Sequence, residues 1–110
     1  MEWKTLSGSE QIDQIIQESF LKPVAIFKHS TRCSISHMAK GRLQRDLAPE
    51  GIDFYYLDLL NYRPLSTLLS EKFSVHHESP QILLIKNGEC IYDESHSGID
   101  MQGIVDEATA

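Results

Sequence analysis

Apolar residues recur three and four apart at Ile12, Ile15, Ile16 and Phe20, and this spacing predicts an amphipathic helix ending before Lys22-Pro23. Ahead of it, Ser7-Gly8-Ser9-Glu10 has the spacing of a capping box. Val24-Ala25-Ile26-Phe27 is a nearly continuous apolar run, the pattern of an interior strand buried on both faces, and it stops at the polar Lys28-His29-Ser30-Thr31-Arg32. Ile35, Met38, Ala39, Leu43 and Leu47 predict a second helix with one apolar face, starting at Cys33 and ending near Pro49-Glu50-Gly51. Residues 52–58 are aromatic and strand-like, while Leu65, Leu68, Leu69 and Phe73 mark a third helix whose first turn Pro64 can open. Asn87-Gly88 separates Ile82-Leu83-Leu84-Ile85 from Cys90-Ile91-Tyr92, a strong short-range signal for a β-hairpin. Met101, Ile104, Val105 and Ala108 predict a short fourth helix after Gly98.

The order helix, strand, helix, strand, helix, hairpin, helix implies an α/β fold: a central mixed four-stranded sheet with helices on both faces, three layers in all. The first two strands run parallel through a right-handed crossover, and the hairpin closes the other side. No repeat, low-complexity tract or linker interrupts the chain, so residues 1–110 read as a single domain.

Composition narrows the function classes. A chain of 110 residues, 41% hydrophobic, buries enough surface to fold without a disulfide framework or a structural metal. Ten Lys and Arg against sixteen Asp and Glu leave a formal charge of −6, and the basic residues form no long cluster. That balance argues against nucleic acid or an anionic membrane surface as a partner. The N-terminus lacks the basic start and apolar stretch of a signal peptide, and no apolar run approaches the roughly 20 residues of a membrane span. A cytoplasmic location is therefore expected, where cysteines stay reduced and are more often reactive than bridged.

The informative segment is Ser30-Thr31-Arg32-Cys33-Ser34-Ile35-Ser36. A cysteine where a buried strand meets a helix faces the unpaired amides of the first helical turn and the positive end of the helix dipole, both of which stabilise a thiolate. Arg32 and Lys28 add positive charge nearby, Ser34 adds a hydroxyl, and the hydroxyl of Ser36 can reach back toward the sulfur. The plainer alternative, that Cys33 is a small buried hydrophobe, fits its polar neighbours poorly. Cys90 has the reverse character, lying in an apolar strand with no cationic neighbour in sequence. His29 and His37 flank Cys33 and would add charge if protonated, though packing or solvation suits them better. His76-His77 and His96 do not complete a recognised metal spacing, and no metal site is expected. A second signal is Ser79-Pro80 opening Gln81-Ile82-Leu83-Leu84-Ile85, since proline suits the first residue of a strand and the preceding bond can be cis.

Together these segments resemble the thioredoxin superfamily, with an active-site cysteine at the start of the helix after the first core strand and a cis-proline before the hairpin. The resemblance spans almost the whole chain and implies a thioredoxin-like three-layer sandwich. Two departures bear on mechanism: Ser36 replaces the second cysteine of Cys-x-x-Cys, and Phe27 replaces the buried carboxylate six residues before the first cysteine. Gly41 stands where thioredoxins often carry a helix-kinking proline, and simple close packing would also account for it.

Lys28-His29-Ser30-Thr31 leading into Cys-x-Ile-Ser is similar to the monothiol bacilliredoxins, cytosolic proteins of the bacillithiol system, which commonly have Thr-Cys-Pro-Ile-Ser where this chain has Arg32 and Ser34 at the variable positions. The resemblance implies thiol-disulfide exchange. Cys33 takes a low-molecular-weight thiol, bacillithiol or another, from a protein mixed disulfide, and a second thiol then releases it. No bound cofactor is implied; the small thiol is a co-substrate and thiolated proteins are the partners. Thr31, Ser79 and Pro80 are then the substrate-binding positions, and Arg32, Ser34 and Ser36 the groups that stabilise the thiolate. Two other readings remain open at this level: an iron-sulfur binding protein like the monothiol glutaredoxins, whose Cys-Gly-Phe-Ser is absent here, and a redox sensor that pairs Cys33 with Cys90.

Overall fold

The computed structural model describes residues 3–30, 32–46 and 49–110. Along the chain they form β1 (Lys4–Thr5), α1 (Glu10–Glu18), β2 (Val24–His29), α2 (Ser34–Arg45), β3 (Asp53–Asp58), α3 (Arg63–Phe73), β4 (Gln81–Lys86), β5 (Glu89–Ser95), a 3₁₀ turn (His96–Gly98) and α4 (Met101–Ala108). Asn87 and Gly88 both have positive φ, as the tight hairpin between β4 and β5 requires. No helix among the described residues is long and apolar enough to cross a membrane.

The expected capping box ahead of α1 does not form. Ser9 is the N-cap and makes no side-chain cap bond. Gln11 does the work from inside the first turn: its Oε1 accepts the amides of Ser7 (2.7 Å) and Gly8 (2.9 Å), and its Nε2 donates to the Thr5 carbonyl (2.9 Å). At the other end of the chain, the Asp100 carboxylate caps α4 by accepting the Gly103 amide at 2.8 Å.

The sheet has the order β1-β3-β2-β4-β5, with β2 parallel to β3 and antiparallel to β4, and β4 antiparallel to β5. It therefore has five strands where the sequence pattern predicts four. The extra strand, β1, has two exposed residues paired in parallel with Tyr55 and Tyr56 of β3, too short to show any periodicity.

Alternation along the central strands divides the core. Val24 and Ile26 pack with Leu83 and Ile85 under α1 and α3, beside Ile12, Ile15, Leu65, Leu69 and Phe73. Ala25 and Phe27 pack with Ile82 and Leu84 under α2 and α4, beside Ala39, Leu43, Met101, Ile104 and Ala108. The buried stripe of α2 is Ser36, Ala39 and Leu43. Ile35 and Met38, expected on that stripe, are 52% and 64% exposed. Each precedes a buried position by one residue, a rotation of about 100° that turns it out of the core. Leu47 lies outside the described residues.

Candidate active site

The chain leaves the sheet at His29 and re-enters regular structure at Ser34, and Cys33 is the N-cap between them. Its backbone is extended (φ −106°, ψ 121°), its amide donates to the Ser30 carbonyl (3.1 Å), and its carbonyl accepts the His37 amide (3.1 Å). No side chain among the described residues caps α2. Among the described residues the amides of Ser34, Ile35 and Ser36 have no acceptor, so the positive end of the helix is open beside the partly exposed thiol. Arg32 and Ser34 are both exposed on either side of Cys33, as the sequence reading places them. Thr31 lies outside the described residues.

Ser36 behaves differently from expectation. It is fully buried, its Oγ accepts the Ser30 amide (3.0 Å), and it lies 2.5 Å from His29 Nδ1. The His29 imidazole is pushed down to about 4, chiefly by burial and further by His37 and Lys40, with Asp58 opposing. It is therefore neutral at pH 7. Among the described residues Ser36 Oγ has no third partner: it is shared between the His29 imidazole and the Ser30 amide, and no contact joins it to the Cys33 sulfur. The serine that replaces a resolving cysteine thus ties the first turn of α2 to the end of β2. His29 stacks on Phe27 (ring centroids 5.7 Å apart) and meets His37 edge-on at 4.8 Å. It is a packing group and adds no charge at neutral pH. Its role was hidden in the sequence because the histidine stands in a polar run that reads as a loop.

Lys28 also departs from expectation. It follows Val24 and Ile26 in the strand alternation, so it faces α3 and not α2. Its Nζ lies 3.0 Å from His77 Nδ1, which is also 3.0 Å from Ser66 Oγ. Lys28 is wholly buried, and burial pulls its ammonium down to about 8 against the pull of Cys90 and Glu78. It sits across the sheet from Cys33 and adds no charge to the thiol's side. His77 turns inward to this cluster while His76 points out to solvent, and among the described residues no group of His, Cys, Asp and Glu is arranged to hold a metal ion.

The Ser79-Pro80 bond is cis. Lys28 pairs with Gln81, which sets Pro80 at the same end of the sheet as His29 and the loop leading to Cys33. The Pro80 carbonyl accepts the His96 amide (3.1 Å), and Ser79 Oγ is buried without a partner among the described residues.

Cys90 lies at the opposite end. It pairs with Ile85, which pairs with Val24 at the start of β2, five residues from His29. At about 3.3 Å per residue that is roughly 16 Å, whereas a disulfide needs Cα atoms within about 7 Å. Cys90 also packs against the α1 and α3 side of the core, and burial pushes its thiol up, toward the unreactive form. A bridge between Cys33 and Cys90, one of the readings the sequence leaves open, does not fit this fold.

The family model for the monothiol bacilliredoxin BrxC matches residues 4–104. Among solved structures, one described as a candidate oxidoreductase with a thioredoxin fold is 34% identical, covers 97% of this chain and 93% of its own, and superposes with a TM-score of 0.83. Thioredoxins from Malassezia sympodialis (19% identity, 99% and 92% covered, TM-score 0.77) and Fasciola hepatica (17%, 96% and 96%, TM-score 0.72) share the fold.

Proposed function

The chain belongs to the monothiol bacilliredoxin family, and we propose that it removes a low-molecular-weight thiol, bacillithiol, from protein mixed disulfides through Cys33. It is an oxidoreductase of thioredoxin fold, and the reading goes further in naming the substrate and the step. The Cys33 thiolate attacks the small thiol's sulfur in a protein mixed disulfide. A sulfur-sulfur bond forms to Cys33, the bond to the protein breaks, and the protein leaves as a thiolate that takes a proton from water. A second small thiolate then attacks the adduct, regenerating the Cys33 thiolate and leaving as the symmetrical disulfide, so this small thiol supplies the electrons.

The observation that carries this reading is the isolation of the thiol. Ser36 occupies the resolving position with its hydroxyl buried against His29, and Cys90 is at the far end of the sheet. An external thiol is therefore needed to complete a cycle. Arg32, Ser34 and the open amides of α2 favour the thiolate, and the chain at Ser79, next to Pro80, pairs with the extended substrate. A cytoplasmic setting, which holds the reducing thiol pool, suits this chemistry.

Mass spectrometry of the wild type, Cys33→Ala and Cys90→Ala after incubation with a bacillithiolated or glutathionylated protein tests the reading. Only Cys33→Ala is expected to fail to take up the small thiol. Equal uptake by all three would overturn the assignment. Thiolate-to-iron absorption bands in protein purified without oxygen would favour iron-sulfur binding instead.

A further inference from the structure

The outer face of α2 carries a groove of about 290 Å³ lined by His37, Met38, Gly41, Arg42 and Arg45. Cys33, His37, Gly41 and Arg45 are spaced four residues apart, so they form one ridge along the helix with the thiol at its head. Gly41 leaves a gap in that ridge. It is not close-packed: among the described residues a Cβ built there would meet only Arg45 Nη1, at 3.8 Å. Helical side chains lean toward the N-terminus, and the Arg45 guanidinium accordingly lies over this gap, back toward Cys33.

Positive charge is concentrated along this segment. Residues 28–45 hold five of the ten Lys and Arg and none of the sixteen Asp and Glu. Four of the five, Arg32, Lys40, Arg42 and Arg45, lie on or beside α2, and no carboxylate forms a salt bridge with any of them among the described residues. Cations in the last turn of a helix offset its dipole. Here, however, Arg42 donates across to the carbonyls of Ile99 (3.1 Å) and His96 (3.0 Å), and Arg45 turns away from the helix end.

We propose that this groove holds the carboxylate-bearing end of the small thiol while its sulfur is bonded to Cys33. The inference rests on the thiol transfer proposed above and adds where the small thiol lies. Gly41 is eight residues from Cys33, about 12 Å along the helix. An extended molecule of three linked units spans about 10 Å. One end then reaches the sulfur while carboxylates at the other meet the Arg45 fork, which suits bidentate recognition of a carboxylate.

The test compares thiol transfer to Cys33 from one neutral reporter peptide carrying glutathione, bacillithiol or 2-mercaptoethanol in mixed disulfide. The quantity read is the rate with bacillithiol, whose sulfur and carboxylates lie at opposite ends, divided by the rate with 2-mercaptoethanol; glutathione, with its sulfur on the middle unit, serves as the comparison. Arg45→Gln is expected to lower this ratio about threefold to fivefold, the upper part of the range for a solvent-exposed charge pair. Gly41→Leu, which fills the gap with a better helix former, should lower it as well without loss of thermal stability. An unchanged ratio overturns the proposal, whether the individual rates hold or fall together. So does a loss seen only when the reporter peptide itself is made acidic, which would assign the groove to the protein partner. Failure of the wild type to react with any of the three disulfides overturns the thiol-transfer reading itself and is separately visible.

Discussion

Ser36 Oγ lies 2.5 Å from His29 Nδ1, joining the last residue of the central strand to the first turn of the helix that carries Cys33. The same oxygen accepts the Ser30 amide, so one buried hydroxyl fixes both sides of the loop that presents the thiol. Ser36→Ala leaves a partly buried amide and a buried imidazole nitrogen unpaired, and urea denaturation is expected to show a loss of about 1–3 kcal/mol. Thiol transfer, measured under conditions where the variant is folded, should stay within a few-fold of wild type. A collapse of transfer at unchanged stability would mean that the hydroxyl acts on the sulfur directly.

Acid should weaken the fold through His29. Its imidazole titrates near 4 in the folded protein against 6.5 when free, so the unfolded chain binds the proton more readily. The stabilisation is complete above pH 6.5, declines as the pH falls and is gone below about 4, a change of about 3 kcal/mol. Denaturation curves of His29→Gln collected from pH 7 to pH 4 are expected to show a shallower decline than wild type. Parallel declines would assign the acid sensitivity to other groups.

Replacing Lys28 by Met should stabilise the protein at pH 7. The buried ammonium titrates near 8 instead of 10.5, which means that folding disfavours its charge throughout the range below pH 8. The wild type should accordingly gain stability as the pH rises from 8 toward 10.5. Removing the charge recovers this cost, and the lost bond to His77 offsets part of it, leaving about 2 kcal/mol in favour of the variant. Calorimetry should show a raised Tm, and thiol transfer by Cys33 on the far side of the sheet should not change. A lowered Tm would mean that the bond to His77 outweighs burial of the charge.

Peroxide treatment should leave the two cysteines unbridged within one chain. The roughly 16 Å between the ends of β2 at which they lie, set against the 7 Å limit for a disulfide, requires local unfolding before they meet. Non-reducing peptide mapping after brief oxidation is expected to show Cys33 oxidised or thiolated and Cys90 as free thiol. An internal bridge formed at the rate of Cys33 oxidation would contradict the fold described.

Much of the architecture was legible because its signals are local. Helical spacing placed α1, α3 and α4, Asn87-Gly88 placed the hairpin, and the apolar run at residues 24–27 placed the central strand. Cys33 at the junction of that strand and α2 was visible for the same reason. The two-residue β1 left no periodic trace, and Gln11 capped α1 from a position that no capping rule singles out. Ile35 and Met38 were misplaced because a single α2 register shift of about 100° separates core from solvent.

Lys28 and His29 mark the boundary between the two kinds of knowledge. The sequence by itself determined that a buried strand ends in a cationic, polar segment leading to a lone thiol at a helix start, because strand and helix periods and the helix dipole are properties of short stretches of chain. Tertiary structure alone decided that Lys28 faces α3 and His77 while His29 faces α2 and Ser36. In a strand covered on both faces, apolar residues at every position leave no alternation from which to read the sides. Only the packing of α1 and α3 on one face, and of α2 and α4 on the other, assigns them.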